Sequence, residues 1–315
     1  MSATSASTDS IEAWSQYWSA GCLSSCPGAT DSNYSGAIAK AWQVFFATLP
    51  EHVRILDIAC GNGALLAMAH QYAVAAGQSW HLTGVDWATL VQREALQHPA
   101  INLCSGVDMH ALPFTSGSFT VVCSQYGIEY GHFPDNLCEA LRVLTRKGRF
   151  QFLLHCADSA IARRAQLQLQ QIDLLQHDWA LLELLQNMLQ TEHDAQRFPA
   201  AKGDFDRAAA KAFAYLKSSP PQQDVSLIEQ SLQQLGGIWQ VRHQQRRTDL
   251  IQASLDAGQA LQSLRQRLLD QQAAMLDQQQ AASWLAQAEQ YADNVQLNRL
   301  DDVGHALGWC LQGSK

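Results

Sequence analysis

Twelve consecutive residues constrain this chain more than any others: Ile55-Leu56-Asp57-Ile58-Ala59-Cys60-Gly61-Asn62-Gly63-Ala64-Leu65-Leu66. An apolar run ends in an acid, two glycines follow one residue apart, and a helix-forming stretch opens at once. That order predicts a buried strand, a tight turn and a helix. Glycine in the turn removes the Cβ that would hold a ligand away from the backbone, and Asp57 leaves one negative charge at the strand's carboxyl end. A small polar or cationic molecule is expected there.

Two kinds of nucleotide site use such a turn. Dinucleotide-dependent oxidoreductases place G-x-G-x-x-G after their first strand. Here Leu66 stands where the third glycine belongs, and the charge of Asp57 would repel a pyrophosphate. Both departures argue against an NAD-dependent oxidoreductase. The run D-I-A-C-G-N-G closely resembles the first motif of the class I S-adenosylmethionine-dependent methyltransferases, a hydrophobic run followed by D/E-x-G/A-x-G-x-G. The resemblance implies that S-adenosyl-L-methionine binds along Asp57, Ala59, Gly61, Asn62 and Gly63 and leaves as S-adenosyl-L-homocysteine.

The downstream acids extend the match. After a helix predicted from residue 64 to about 76, residues 80–86 read as a second strand ending in Asp86, with Trp87 beside it. The resemblance implies that Asp86 holds the ribose hydroxyls, a task that suits a carboxylate because it accepts two hydrogen bonds from a cis diol. The plainer reading is a cap for a helix beginning near Ala88. A third strand over 101–105 leads into Asp108-Met109-His110-Ala111-Leu112-Pro113-Phe114, which resembles the family's D-x-x-x-L-P-F segment. By that likeness Asp108 accepts from the adenine amino group and Met109 packs on the ring. A fourth strand over 118–126 is of the family's S-F-D-x-V type, with Thr120 in place of the acid and Gln125 and Tyr126 at the cofactor end. A helix over 137–145 and a fifth strand over 150–155 follow. Strands and helices alternating at this pace imply a parallel sheet with right-handed crossovers, so Asp57, Asp86 and Asp108 converge on one crevice.

Beyond residue 155 the composition shifts to Gln, Ala and Leu. Apolar residues from Ile161 to Leu189 recur at spacings of three and four and predict one long amphipathic helix; a second series runs from Ile251 to Met275. Pro220-Pro221 is expected to break one helix and Gly236-Gly237 another. Strand character returns over 294–298 and 306–312. The chain is therefore expected to be an α/β protein with a Rossmann-like seven-stranded methyltransferase sheet and a large all-helical insertion between strands 5 and 6. Its parts are an N-terminal helical cap over 1–50, a cofactor-binding core over 51–156 and 293–315, and the helical insertion over 157–292. In the family, additions at that point commonly cover the substrate pocket, so the insertion suits a lid; it equally suits a homodimer interface.

The N-terminal segment concentrates Trp14, Tyr17, Trp18 and Tyr34 ahead of a helix predicted from about Ser35 to Leu49. In related methyltransferases a comparable segment folds over the cofactor, which assigns Tyr17, Trp18 and Tyr34 to that site. Aromatic faces suit a thioether cation through a term of about 0.5 to 2 kcal/mol; plain core packing explains the same residues. Residues 1–10, rich in Ser, Thr and Ala, are expected to be disordered.

Net charge of -8 argues against a nucleic-acid partner, which needs clustered Lys and Arg, though Arg242, Arg246 and Arg247 lie close together. No apolar stretch approaches a membrane span, so a cytoplasmic protein is expected. Eight cysteines in this length suggest free thiols, several of them in core strands, and the Cys22–Cys26 pair lacks a second pair at zinc spacing, so no metal is expected. Methyl transfer needs chiefly an aimed nucleophile and exclusion of water. Candidate catalytic groups follow strands four and five: Glu129 or His132 as proton acceptor, Tyr130 to orient, and His155. The N-P-P-Y segment of base amino-methylating enzymes and the Pro-Cys pair of cytosine C5 enzymes are both missing after strand four. A small-molecule acceptor is the leading expectation, with a noncatalytic scaffold that keeps the fold as the alternative.

Overall fold

The computed structural model describes residues 7–25, 33–91 and 99–315. The chain divides into two compact units, Met1–Arg163 with Leu269–Lys315, and Arg164–Leu268.

In the first unit, helices α1 (Thr8–Ser19) and α2 (Gly36–Phe46) precede strand β1 (His52–Ile58), helix α3 (Ala64–Ala75), and strands β2 (Ser79–Asp86), β3 (Ile101–Ser105) and β4 (Phe119–Gln125). Helix α4 (Phe133–Val143) and strand β5 (Leu144–His155) follow. After the helical region, β6 (Asp293–Asp302) and β7 (His305–Ser314) form a closing hairpin. The seven strands make one sheet in the order β3-β2-β1-β4-β5-β7-β6. β1 to β5 are mutually parallel and β7 runs antiparallel to both its neighbours. This is the seven-stranded Rossmann-like sheet that the strand order in the sequence predicts.

Why the central strands read as unbroken apolar runs follows from the cover on both faces. Side chains alternate along a strand, so Ile55 packs with Trp42, Phe46, Leu65 and Leu82 on one face, while Leu56 packs with Val122, Phe133 and Leu137 on the other. Val121 and Val122 of β4 split the same way, as do Leu153 and Leu154 of β5. Trp42 of α2 is fully buried, and burying an aromatic side chain of this size contributes about 2 to 3 kcal/mol.

Between β5 and β6 the chain is helical: α5 (Ala160–Asp173), α6 (Leu181–Thr191), α7 (Phe198–Ser218), α8 (Ser226–Gln240), α9 (Arg247–Ala274) and α10 (Gln278–Ala288). Most of this forms the second unit, with Ile172, Leu185, Leu189, Ile228 and Leu235 buried inside it. The first apolar series is not one helix. It passes through a π-helical turn at Leu174–Asp178 and breaks at Ala180, which is left-handed at φ 46. A widened turn adds a residue without disturbing spacings of three and four, so the periodicity conceals it.

Gly236 and Gly237 also correct the sequence reading, because both lie within α8 and break nothing. Each costs a helix interior only about 1 kcal/mol relative to alanine, and the buried Leu235 and Ile238 on either side hold the helix against that cost. Pro220 does follow a helix end, with α7 stopping at Ser218. Of the basic trio, Arg242 pairs with Glu192 at 3.1 Å and stacks on Trp239, while Arg246 pairs with Asp249 at 2.8 Å. At the amino end, Thr8 to Ser10 are helical rather than disordered: the Ser7 hydroxyl accepts from the Ser10 N–H at 3.2 Å and caps α1. Serine and threonine there are cap chemistry. The helix expected from Ala88 and the cysteine at position 26 fall largely or wholly outside the described residues. No helix among the described residues is long and apolar enough to cross a membrane.

Candidate active site

The carboxyl ends of β1 to β4 face one cavity of about 460 Å³ within the first unit. Ala59, Cys60 and Gly61 follow β1; Asp86 ends β2, with Trp87 and Ala88 after it; Met109 and His110 follow β3; Gln125 ends β4, with Tyr126 and Gly127 after it. The volume falls in the range of small-molecule sites, roughly 300 to 1,000 Å³. Helix α1 and the segment after it close one side with Ser10, Trp14, Trp18, Leu23 and Tyr34, and the last turn of α9 adds Asp270 and Ala273.

Strain collects at this rim. Ala59 and Tyr126 are left-handed at φ 56 and φ 54, an uncommon state for residues with a side chain. A Cβ on Gly127 would sit 2.5 Å from the Ala59 Cβ, so glycine there and a small residue at 59 let the ends of β1 and β4 approach. Ser124 fixes the approach, donating to the Ile58 carbonyl at 2.8 Å and accepting from the Ile128 N–H at 2.9 Å. Tyr126 is held at its far end, donating to the Leu307 carbonyl at 3.1 Å.

Gly61 meets an unexpected neighbour. Its φ is 51, and an added Cβ would lie 2.5 Å from the Trp18 ring. The absent side chain therefore makes room for an indole of α1 as well as for a ligand in the cavity that both residues line. Replacing Gly61 by alanine should lower stability by about 1 to 3 kcal/mol, read from urea unfolding, because strain at positive φ adds to the collision with Trp18.

Asn62 is turned away from the cavity. Fully buried, it donates to the carbonyls of Trp18 at 2.9 Å and Cys22 at 2.8 Å, and accepts from the Val91 N–H at 2.9 Å. It thus ties the end of α1 to the glycine turn. Asn62→Ala removes three hydrogen bonds of about 1 kcal/mol each and should loosen α1, seen as faster amide exchange of Trp18 and its neighbours.

Asp86 sits at the centre of the charged wall. One oxygen accepts from the Gly61 N–H at 2.8 Å and the other from the Ala88 N–H at 2.9 Å. Burial pushes its pKa up to about 6, against the pull of those N–H groups. Asp57, deeper at the end of β1, is raised well above the ordinary carboxylate range by burial and then by the charge of Asp86. Its Oδ1 has no hydrogen-bond partner among the described residues, and it does not line the cavity. Asp108 accepts at one oxygen from the His110 N–H at 2.9 Å and lies 2.8 Å from His110 Nδ1. Gln125 accepts from Trp42 Nε1 at 2.5 Å, and its own buried Nε2 has no partner among the described residues.

Glu129 and His155 form a buried pair behind Tyr126 and Tyr130. The His155 N–H donates to Glu129 Oε1 at 2.8 Å, and His155 Nδ1 lies 2.8 Å from the same oxygen. Gln271 Nε2 stands 3.0 Å from His155 Nε2, on the other side of the ring. The His155 ring lies 4.4 Å from Tyr126 and 5.8 Å from Tyr130, centroid to centroid.

Of the residues singled out by sequence, Ala59, Gly61, Asp86, Trp87, Met109, Gln125, Tyr126, Trp18, Tyr34, Glu129, Tyr130 and His132 line the cavity together. Asp57, Asn62, Gly63, Asp108, Tyr17 and His155 are not among its lining residues: backbone carbonyls claim the Asn62 amide, His155 is held by Glu129, and the Tyr17 hydroxyl donates to the Ser24 carbonyl at 2.7 Å. Sequence reasoning missed Ser10, His110 and Asp270. His110 was within reach, since it directly follows the Asp108-Met109 pair; Asp270 sits in a polar stretch of a long helix and gives no local signal.

A family model described as a methyltransferase domain matches residues 55–148, the stretch that supplies the ends of β1 to β4. That stretch is similar to a methyltransferase domain. No curated protein matches the chain. Solved structures similar to this chain include the YcgJ protein of Bacillus subtilis, at 20% identity over 43% of this chain and 58% of that one, with a TM-score of 0.33. An S-adenosylmethionine-dependent methyltransferase of Mesorhizobium loti is 25% identical over 40% and 57%, TM-score 0.33. One of Thermotoga maritima is 19% identical over 42% and 57%, TM-score 0.31. The chain spans less than two thirds of the length of each of these structures.

Proposed function

We propose that this chain binds S-adenosyl-L-methionine in the cavity at the carboxyl ends of β1 to β4 and transfers its methyl group to a small-molecule acceptor. One observation carries the reading: the turn after β1, the acid ending β2, the Met109 segment after β3 and the end of β4 line a single cavity.

The residues present fit the cofactor. A carboxylate offers about four acceptor sites, and backbone N–H groups occupy one on each oxygen of Asp86, so it retains capacity for a ribose diol. Asp108 keeps one oxygen clear of His110 for an amino group, and the half-buried Met109 supplies a polarizable wall. The unpartnered Nε2 of Gln125 is a buried donor that a ligand acceptor would satisfy. When bound, the sulfonium supplies an electrophilic methyl group. The protein's share is to hold the acceptor in line, exclude water with Trp14 and Trp18 of α1, and take up a proton where the acceptor carries one.

The pH dependence tests the ribose assignment. A diol donates to the ionised carboxylate, so binding is favoured above the pKa of about 6 and is lost as pH falls through it. S-adenosylhomocysteine affinity should decline between about pH 7 and pH 5, and Asp86→Asn should flatten that decline. Calorimetric titration across this range measures both. An unchanged slope in the variant contradicts the role given to Asp86.

A further inference from the structure

We infer that the acceptor is a small amine, recognised as its ammonium ion by the free oxygen of Glu129. The inference rests on the methyl-transfer reading and names the acceptor class for that same cavity. Glu129 lines the cavity with its side chain fully buried, and its Oε2 has no hydrogen-bond partner among the described residues, while Oε1 is held twice by His155. A desolvated carboxylate oxygen left bare is costly, and a ligand that brings an N–H removes that cost.

The rest of the wall selects the sign of charge. Among the described residues it carries the carboxyl groups of Asp86, Glu129 and Asp270 and no lysine or arginine. The two imidazoles that line it each face an acid of their own, His110 beside Asp108 at 2.8 Å and His132 beside Asp135 at 2.9 Å. Asp270 accepts from the Ser10 hydroxyl at 3.0 Å, which fixes a second carboxylate on the α9 side. A carboxylate or phosphate acceptor would meet these acids with no lysine or arginine to pair with. An ammonium would meet Glu129 and the aromatic rings of Trp14 and Tyr130, which pack edge to face at 5.8 Å.

Before transfer the ammonium gives one proton to Glu129 Oε2 and regains its lone pair. That pair forms the nitrogen–carbon bond as the carbon–sulfur bond of the donor breaks, and the sulfur keeps the electrons of the broken bond. His155 is a positioning residue, since both its contacts to Glu129 fall on Oε1 and leave Oε2 for the ammonium.

The test uses the full chain and two pools of matched size, one of small aralkylamines such as phenethylamine and one of carboxylic acids such as 3-phenylpropanoate. Label from S-adenosylmethionine should enter the amine pool, and E129Q should slow this by about 30-fold, the loss expected for a charged hydrogen bond. The amine pool alone should raise the unfolding midpoint of the wild type loaded with S-adenosylhomocysteine. E129Q should keep its S-adenosylhomocysteine affinity within about two-fold, which also shows that it folds. If E129Q fails to fold, D270N is read in the same way, with a smaller loss toward amines. Label in the acid pool alone, label in neither pool while S-adenosylhomocysteine binds, or a parallel loss of nucleotide affinity in E129Q overturns the amine assignment. A wild type that binds no S-adenosylhomocysteine strikes the methyl-transfer reading itself.

Discussion

Replacing Asp86 by alanine should weaken S-adenosylhomocysteine binding by about 30- to 100-fold, since hydrogen bonds to a charged group are worth about 1.5 to 3 kcal/mol. Two effects combine in that number. The ribose loses its acceptor, and the N–H groups of Gly61 and Ala88, now bonded at 2.8 and 2.9 Å, lose theirs. The glycine turn is then free to shift under the ligand. Asp86→Asn separates the two, because one amide oxygen can still accept from a backbone N–H while the charge is gone. It should fall between wild type and alanine in affinity by calorimetric titration. Equal affinity in all three proteins would place the sugar elsewhere.

Trp42→Ala should cost about 3 to 5 kcal/mol of stability, the range for emptying a large aromatic site in a packed core. The side chain is fully buried against Phe45 and Phe46, and its Nε1 donates to Gln125 at the end of β4. Trp42→Phe keeps most of the packing and deletes the donor. Its cost should be about 1 to 2 kcal/mol, with a further change in nucleotide affinity because Gln125 lines the cavity and is then free to turn. Chemical unfolding measures the first effect and titration the second. A Phe variant that matches wild type in both would show that the contact to Gln125 carries neither stability nor site geometry.

The sheet was readable because its signals are local. Ile55 and Leu56 face opposite sides of a covered sheet, so both must be apolar, and the acids Asp57 and Asp86 fall where such runs end. The far side of the cavity was not readable in this way. Ser10 and Asp270 come from helices whose periodicity reports one buried face and says nothing of what stands opposite. Asn62 shows the limit most clearly. Its place in the glycine motif suggests a ligand contact, yet its amide serves the carbonyls of Trp18 and Cys22, some forty residues back in the chain. The break at Ala180 and the intact helix through Gly236 fail for the converse reason, since tertiary packing outweighs local preference at both.

The most direct test is calorimetric titration of the full chain with S-adenosylmethionine, S-adenosylhomocysteine and NAD in parallel. Both sulfur nucleotides should bind at one site per chain, and NAD should not bind. Binding of NAD alone, or of none of the three, would contradict the proposed function.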